Sequence, residues 1–149
     1  MTLETLKIKE ELRNLIDAYT TLGDEKKIAE QMELFTSDAN YTVYMNGVVV
    51  ANTTGTNKLE EEFNGHASLV KKYFTLNGQH SVEIDGDNAT GISFSQIKMI
   101  RESEGKETLT DYSVRYDDTY VFEDGKWLIK NRVGYFLMIE NRILVPISF

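Results

Sequence analysis

Two histidines, His66 and His80, and no cysteine are the chain's supply of imidazole and thiol groups, too few for a transition-metal centre. His80 alternates in phase with Leu76, Val82 and Ile84, the apolar side of a strand. An imidazole facing a partly apolar interior can titrate near neutrality and serve as acid or base. The competing role is a core histidine bonded to a neighbour. Asp111, Ser113 and Arg115 share one face of a later strand, with Tyr112, Val114 and Tyr116 on the other. The polar triplet would supply a carboxyl held by an arginine if it faced a cavity, or a solvated sheet surface if the aromatic face looks inward. Tyr19 and Tyr44 are candidate pocket hydroxyls, since an aromatic body with a polar tip suits a mostly apolar ligand site. Asn131 is in phase with Trp127, Ile129 and Val133, whereas Lys130 must reach water, so Asn131 is expected inside and in need of partners. Asp24, directly after Gly23, is positioned to N-cap a helix.

The elements that must position these groups are legible in the spacing. Leu12, Leu15, Ile16, Tyr19 and Leu22 form the stripe of an amphipathic helix over residues 5–22, and a second helix is expected from Glu25 to Phe35 with Ile28, Met32 and Phe35 inward. Asn46-Gly47 between Asn40–Met45 and Val48–Asn52 has the chemistry of a type I′ hairpin turn. Gly55-Thr56-Asn57 leads a third helix with Leu59 and Phe63 inward, and residues 64–74 read equally as its continuation or as a loop. Four long strand-like runs follow: 75–84, 89–101, 108–122 and 127–141. Asp85-Gly86-Asp87 and Glu123-Asp124-Gly125-Lys126 form turns, and the charged segment 101–107 forms a hairpin tip. The order αα ββ α ββββ implies an α+β fold: a curved mixed or antiparallel sheet forming a cone, closed by about three helices from the N-terminal half. A hollow between sheet and helices follows from that shape.

Bulk composition narrows the partners. The 149 residues fit one domain spanning 1–149, and Pro146 is the single proline, so nothing marks a linker. A net charge of −8 repels phosphate backbones and argues against nucleic acid. No apolar run approaches the roughly 20 residues that cross a bilayer, and the charged N-terminus lacks a secretory core. A cytoplasmic location without membrane contact is the expectation. No phosphate loop or nucleophile elbow is present.

Several patterns, taken in order, carry a family resemblance. They are Tyr19 followed by Asp24, the run Leu34-Phe35-Thr36-Ser37-Asp38-Ala39, Tyr44-Met45-Asn46-Gly47, and Gly55 before the third helix. Asn77-Gly78-Gln79 leads into Val82-Glu83-Ile84-Asp85-Gly86-Asp87-Asn88-Ala89, and Tyr116–Ile129 closes the set with Asp124-Gly125-Lys126-Trp127. Over nearly the whole chain this resembles the SnoaL-like branch of the nuclear transport factor 2-like superfamily, whose cystatin-like cone hosts cyclases, isomerases, dehydratases and non-catalytic binding modules. The resemblance implies that Asp24 matches an acidic residue beside the pocket in some members. It also implies a histidine at Thr75 or Leu76, and this chain has none there.

The function expected is a small-molecule-binding domain acting on a largely apolar substrate by cofactor-free proton transfer, as an isomerase, cyclase or dehydratase. His80, Asp24 or Asp111 would be the catalytic group, and Tyr19, Tyr44, Trp127 and Asn131 would bind substrate, with no metal and no cofactor. The alternative is a non-catalytic ligand-binding or dimerisation module. The run Phe136–Phe149 is more apolar than one cone can bury, which implies a two-fold homodimer or, as the alternative, a tail folded back over its own helices.

Overall fold

The computed structural model describes residues 1–145, 147 and 148; Pro146 and Phe149, to which the single-proline and tail readings extend, lie outside the described residues. The elements are α1 (Leu3–Asp24), α2 (Ile28–Met32), β1 (Phe35–Met45), β2 (Val48–Thr54), α3 (Thr56–Ser68), β3 (Lys72–Asp85), β4 (Asn88–Ser103), β5 (Lys106–Glu123) and β6 (Lys126–Ile143). The fold is α+β, a curled six-stranded mixed sheet that does not close on itself, with the three helices in the N-terminal half. Its strand order is β2-β1-β6-β5-β4-β3. All pairings are antiparallel except β1 with β6, which run parallel.

Turn chemistry does what the sequence predicts. Asn46 and Gly47 hold φ of 51° and 77°, and Asp124 and Gly125 hold 53° and 81°, the paired positive values a type I′ turn needs. Helix boundaries differ from expectation. The second helix is only Ile28–Met32, because Phe35 already enters β1 and Leu34 pairs through its carbonyl with Ile129 N–H at 2.8 Å. Residues 64–74 divide between the end of α3 and the start of β3. Asp24 is the last residue of α1 and caps nothing, since α2 follows Lys27 with no side-chain cap.

Among the sheet's register shifts, three bulges decide which side chains of β3 and β6 face inward. In β3, one extra residue between Asn77 and His80 breaks the pairing with β4. His80, Val82 and Ile84 therefore stay on the inner row, while Leu76 moves outside, 60% exposed, and Tyr73, Thr75 and Asn77 take the inner positions. In β6, Ile129 pairs with Tyr120 and Asn131 with Thr119, leaving Lys130 as the extra residue. The row Trp127, Ile129 then continues through Arg132, Gly134 and Phe136, and Asn131 turns to the outer face. A second β6 bulge at Leu137 lies between the partners of Ser113 and Val114.

Helix α1 lies on the inner face through buried Leu12, Leu15 and Ile16. It is fixed there by Asn77, whose amide donates to Asp17 Oδ1 and to Thr20 Oγ1, each at 2.9 Å, and accepts from Ser95 Oγ at 2.7 Å. Arg13 donates to the Gly78 carbonyl at 2.7 Å, satisfying an acceptor that the β3 bulge releases. The bulge that reorients β3 is thus also the place where the helix is tied down.

Candidate functional site

Between the helices and the inner face of the sheet is a cavity of about 370 Å³. Its walls are mostly apolar, and Phe63, Tyr112, Phe136, Met45, Met99 and Ile97 are among the residues that line it. Such a volume and lining are those of a small-molecule site.

The polar groups in the walls come in pairs. Asp24, at the end of α1, accepts from the Thr75 backbone N–H at Oδ2 and from Thr75 Oγ1 at Oδ1, each at 2.8 Å. Glu62 on α3 accepts from Thr53 Oγ1, 2.7 Å from both carboxylate oxygens. His66, one turn further along α3, has Nδ1 2.5 Å from Tyr73 Oη, the two rings stacked at 5.8 Å. Burial pulls the His66 imidazole below its ordinary value and the nearby Arg101 cation adds to this, so the ring is neutral at pH 7. Burial also pushes the Tyr73 phenol up to about 12, with Arg101 opposing. Gln31 completes the set. Its Nε2 donates to the Tyr19 carbonyl at 2.9 Å, which leaves Oε1, in a side chain 3% exposed, as a buried acceptor without a partner at the cavity wall.

Beneath Tyr19 and Tyr116 lies a second polar cluster that is packed solid. The Arg132 guanidinium sits 3.6 Å from the Tyr116 ring centroid and 4.3 Å from that of Tyr19. Its Nε is 3.2 Å from Asp118 Oδ1, close enough for an ion pair but off the axis of a straight hydrogen bond. Tyr120 donates to Asp118 Oδ2 at 2.8 Å, which leaves the phenol oxygen to accept from His80 Nε2 at 3.1 Å. Desolvation pulls the Arg132 pKa down, but Asp118 and the phenols of Tyr19, Tyr116 and Tyr41 more than reverse it, so Arg132 stays charged. Burial pushes the Asp118 carboxyl up against the pull of Arg132. Gly91 makes room for this cluster: a Cβ there would lie 2.8 Å from the Tyr120 ring and 3.1 Å from His80 Nε2.

Of the residues singled out from sequence, Tyr19 and Asp24 line the cavity. His80, Tyr44, Trp127, Asn131 and Asp111 do not. His80 is inward on its strand but borders a separate cleft with Lys9, Arg13, Ser81 and Val82. Burial, with Arg13 and Arg132 adding to it, lowers its pKa to about 4. Tyr44 stacks on Tyr135 at 5.1 Å, and Trp127 is buried against Phe122. Asn131 is outside because of the Lys130 bulge. Asp111 pairs with Arg142 at 2.9 Å and Lys98 at 3.8 Å on the outer face, opposite Tyr112 and Tyr116. Phe74 and Phe94 lie away from the cavity, 55% and 36% exposed. Sequence reasoning did not single out Glu62, His66, Gln31, Asp118 or Arg132. Asp118 continues the row Tyr112, Val114, Tyr116, Tyr120, and a charge in that row was the available signal. Among the described residues, no group of three acidic or histidine side chains could hold a metal ion.

The family model for SnoaL-like domains matches residues 4–133. No curated protein shows a significant sequence match. Among solved structures, a scytalone dehydratase-like protein from Novosphingobium aromaticivorans is 20% identical, over 100% of this chain and 99% of that one, with a TM-score of 0.83. The hexachlorocyclohexane dehydrochlorinase LinA-type3 of Novosphingobium barchaimii is 17% identical over 99% and 97% of the two chains, with a TM-score of 0.79. An NTF2-like protein with a cystatin-like fold from Novosphingobium aromaticivorans is 23% identical over 91% and 85%, with a TM-score of 0.68. At these identities the likeness is one of fold.

Proposed function

The chain belongs to the SnoaL-like domain family, and from that premise we propose that its cavity binds a small, uncharged, largely apolar molecule and moves a proton on it without a cofactor. The observation that carries this reading is the cavity of about 370 Å³ whose apolar walls hold paired acceptors and one orphaned acceptor, Gln31 Oε1. A buried acceptor without a partner costs about 1–3 kcal/mol, and a ligand hydroxyl or amine that donates to it removes that cost. Anionic ligands are disfavoured. Asp24 and Glu62 stand in the wall, and the buried cation beneath it, Arg132, is already paired with Asp118. The solved structures described as a scytalone dehydratase-like protein and a hexachlorocyclohexane dehydrochlorinase are named for eliminations, and that reaction class is the support they lend to this reading. The acidic, cysteine-free sequence supports a cytoplasmic setting and a partner other than nucleic acid or membrane.

Fluorescence of the neutral dye N-phenyl-1-naphthylamine tests the cavity. Saturable enhancement is expected, with affinity at least tenfold weaker in Val43→Trp, which fills the volume from β1. No saturable binding, or equal binding by Val43→Trp, would sink the reading.

The second reading, a non-catalytic binding module that dimerises, draws on Thr75 and Leu76 standing at the two positions where the resemblance implies a histidine. It also draws on the outer sheet face, where Phe74, Leu76, Ile92 and Phe94 are 55%, 60%, 37% and 36% exposed. Packing that face on a second copy gives a two-fold homodimer. Light scattering at micromolar concentration decides this: the dimer is lost if the mass stays at the 17.1 kDa of one chain.

A further inference from the structure

We propose that the proton acceptor of this cavity is the His66–Tyr73 pair, delivered from α3 and β3 at the cavity's rim, and that its substrate is an uncharged ring compound with an acidic C–H beside a carbonyl. This rests on the cavity reading above and adds the group that performs the chemistry. Of the two histidines, His66 lines the cavity and His80 does not. Asp24, the rival at the end of α1, accepts one hydrogen bond from Thr75 at each oxygen. Glu62 accepts the single hydroxyl hydrogen of Thr53, whose oxygen lies 2.7 Å from both of its oxygens. His66 differs from both because only one of its two ring nitrogens, Nδ1, is engaged.

The Tyr73 contact at 2.5 Å is compatible with either imidazole tautomer, and the proposed base is the one in which Nδ1–H donates to Tyr73 Oη and Nε2 carries the free lone pair of a neutral imidazole. In the step, the C–H bond of the substrate breaks and its electron pair moves into the carbonyl as an enolate. The proton forms an N–H bond at Nε2. The resulting imidazolium is steadied by Nδ1–H on Tyr73. Return of a proton, or of a deuteron from D2O, to that same carbon regenerates the ketone, and where a C=C bond is conjugated with the enolate, protonation at its far carbon completes an isomerisation; neither route needs an oxidant or reductant. His66 is also exposed on its solvent side, so the proton can exchange with bulk water.

The groups facing His66 tune it in a definite direction. Tyr73 lies on β3, Arg101 on β4, and Glu62 one turn earlier on α3, while Asp24 stands on α1 near Tyr73. Tyr112 on β5 is coupled to the same Arg101. Burial and the Arg101 charge keep the ring neutral below the usual histidine range, which makes it a base at pH 7 rather than an imidazolium.

The probe is 2-tetralone, an uncharged bicyclic ketone with acidic C–H bonds beside its carbonyl. Binding is read by displacement of N-phenyl-1-naphthylamine, and catalysis by protein-dependent deuterium incorporation at C1 in D2O, followed by NMR. Wild-type protein is expected to exceed buffer at least tenfold. His66→Gln, on an exposed helix position, should lose that excess while still displacing the dye, and His80→Gln should retain it. Tyr73→Phe should displace the apparent pKa of the exchange rate, a change that a purely structural role would not produce. Displacement of the dye without accelerated exchange, or exchange unchanged by His66→Gln, would overturn His66 as the base and leave the cavity reading standing. If neither compound binds, the cavity reading itself fails.

Discussion

The two polar regions of this molecule are built from the same residue types and behave differently because one has space beside it. At the filled end, Arg132, Asp118, Tyr120 and His80 form a chain of contacts in which the ion pair is 0–1% exposed and two tyrosine rings cover the guanidinium. At the hollow end, Asp24, Glu62 and His66 each have one partner and border about 370 Å³ of open volume. A charge locked against its counter-charge and roofed by aromatics holds the fold. A charge or imidazole with one partner and a free side is available to a ligand. The histidines make the point most directly: His80 donates to Tyr120 within the packed cluster, and His66 keeps one nitrogen free.

Arg132→Met breaks the comparison hardest. It leaves Asp118 charged and buried without its cation, so a loss of about 3–5 kcal/mol is expected in urea unfolding. Asp118→Leu combined with Arg132→Met should regain part of it, since removing both charges leaves none unpaired. A loss under about 1 kcal/mol would mean that the filled end is not what holds the sheet. Asp24→Ala acts at the hollow end, where it removes a charged acceptor from Thr75. The expected cost is smaller, about 1.5–3 kcal/mol, and it should come with a change in dye affinity. Equal stability loss and unaltered dye binding would erase the distinction between the two ends.

The smallest effect concerns pH. The folded-state pKa of His80 is about 4, against an ordinary value of 6.5. Between those values the unfolded chain binds the extra proton, so the contribution of His80 is present above pH 6.5 and is lost as pH falls toward 4. His66, also lowered, acts in the same direction. Comparing urea midpoints at pH 7 and pH 5, His80→Gln should lose less stability than wild type. The difference is on the order of 1 kcal/mol, discounted because the ring is partly exposed. A wild-type-like decrease would detach His80 from the pH dependence.

What could be read from sequence was what local rules determine. Glycines with positive φ set the hairpins, the period of α1 set its buried stripe, and alternation set most of β4 and β5. The unread parts come from single extra residues. Strict alternation from Trp127 puts Asn131 inside and Arg132 outside, and the Lys130 bulge reverses both. The same kind of insertion after Asn77 put Leu76 on the wrong side while leaving His80 inward. His66 escaped because it falls in the stretch 64–74, where helix and loop were equally good readings and no face could be assigned. The parallel contact of β1 with β6 had no local signature at all, since it joins Asn40 to Asn131.

That parallel contact has a consequence for how the protein is made. The ribosome delivers β6 last, yet β6 lies between β1 and β5 in the middle of the sheet. Until residues 126–143 emerge, the β1–β2 hairpin and the β3–β4–β5 meander are separate pieces, each with a bare edge that β6 will later cover. Vectorial synthesis therefore cannot complete this fold piece by piece. The sheet closes in one late, long-range step, of the kind that slows folding and prolongs the exposure of unpaired strands. A nascent chain stalled before Lys126 is the form of this protein most in need of a chaperone.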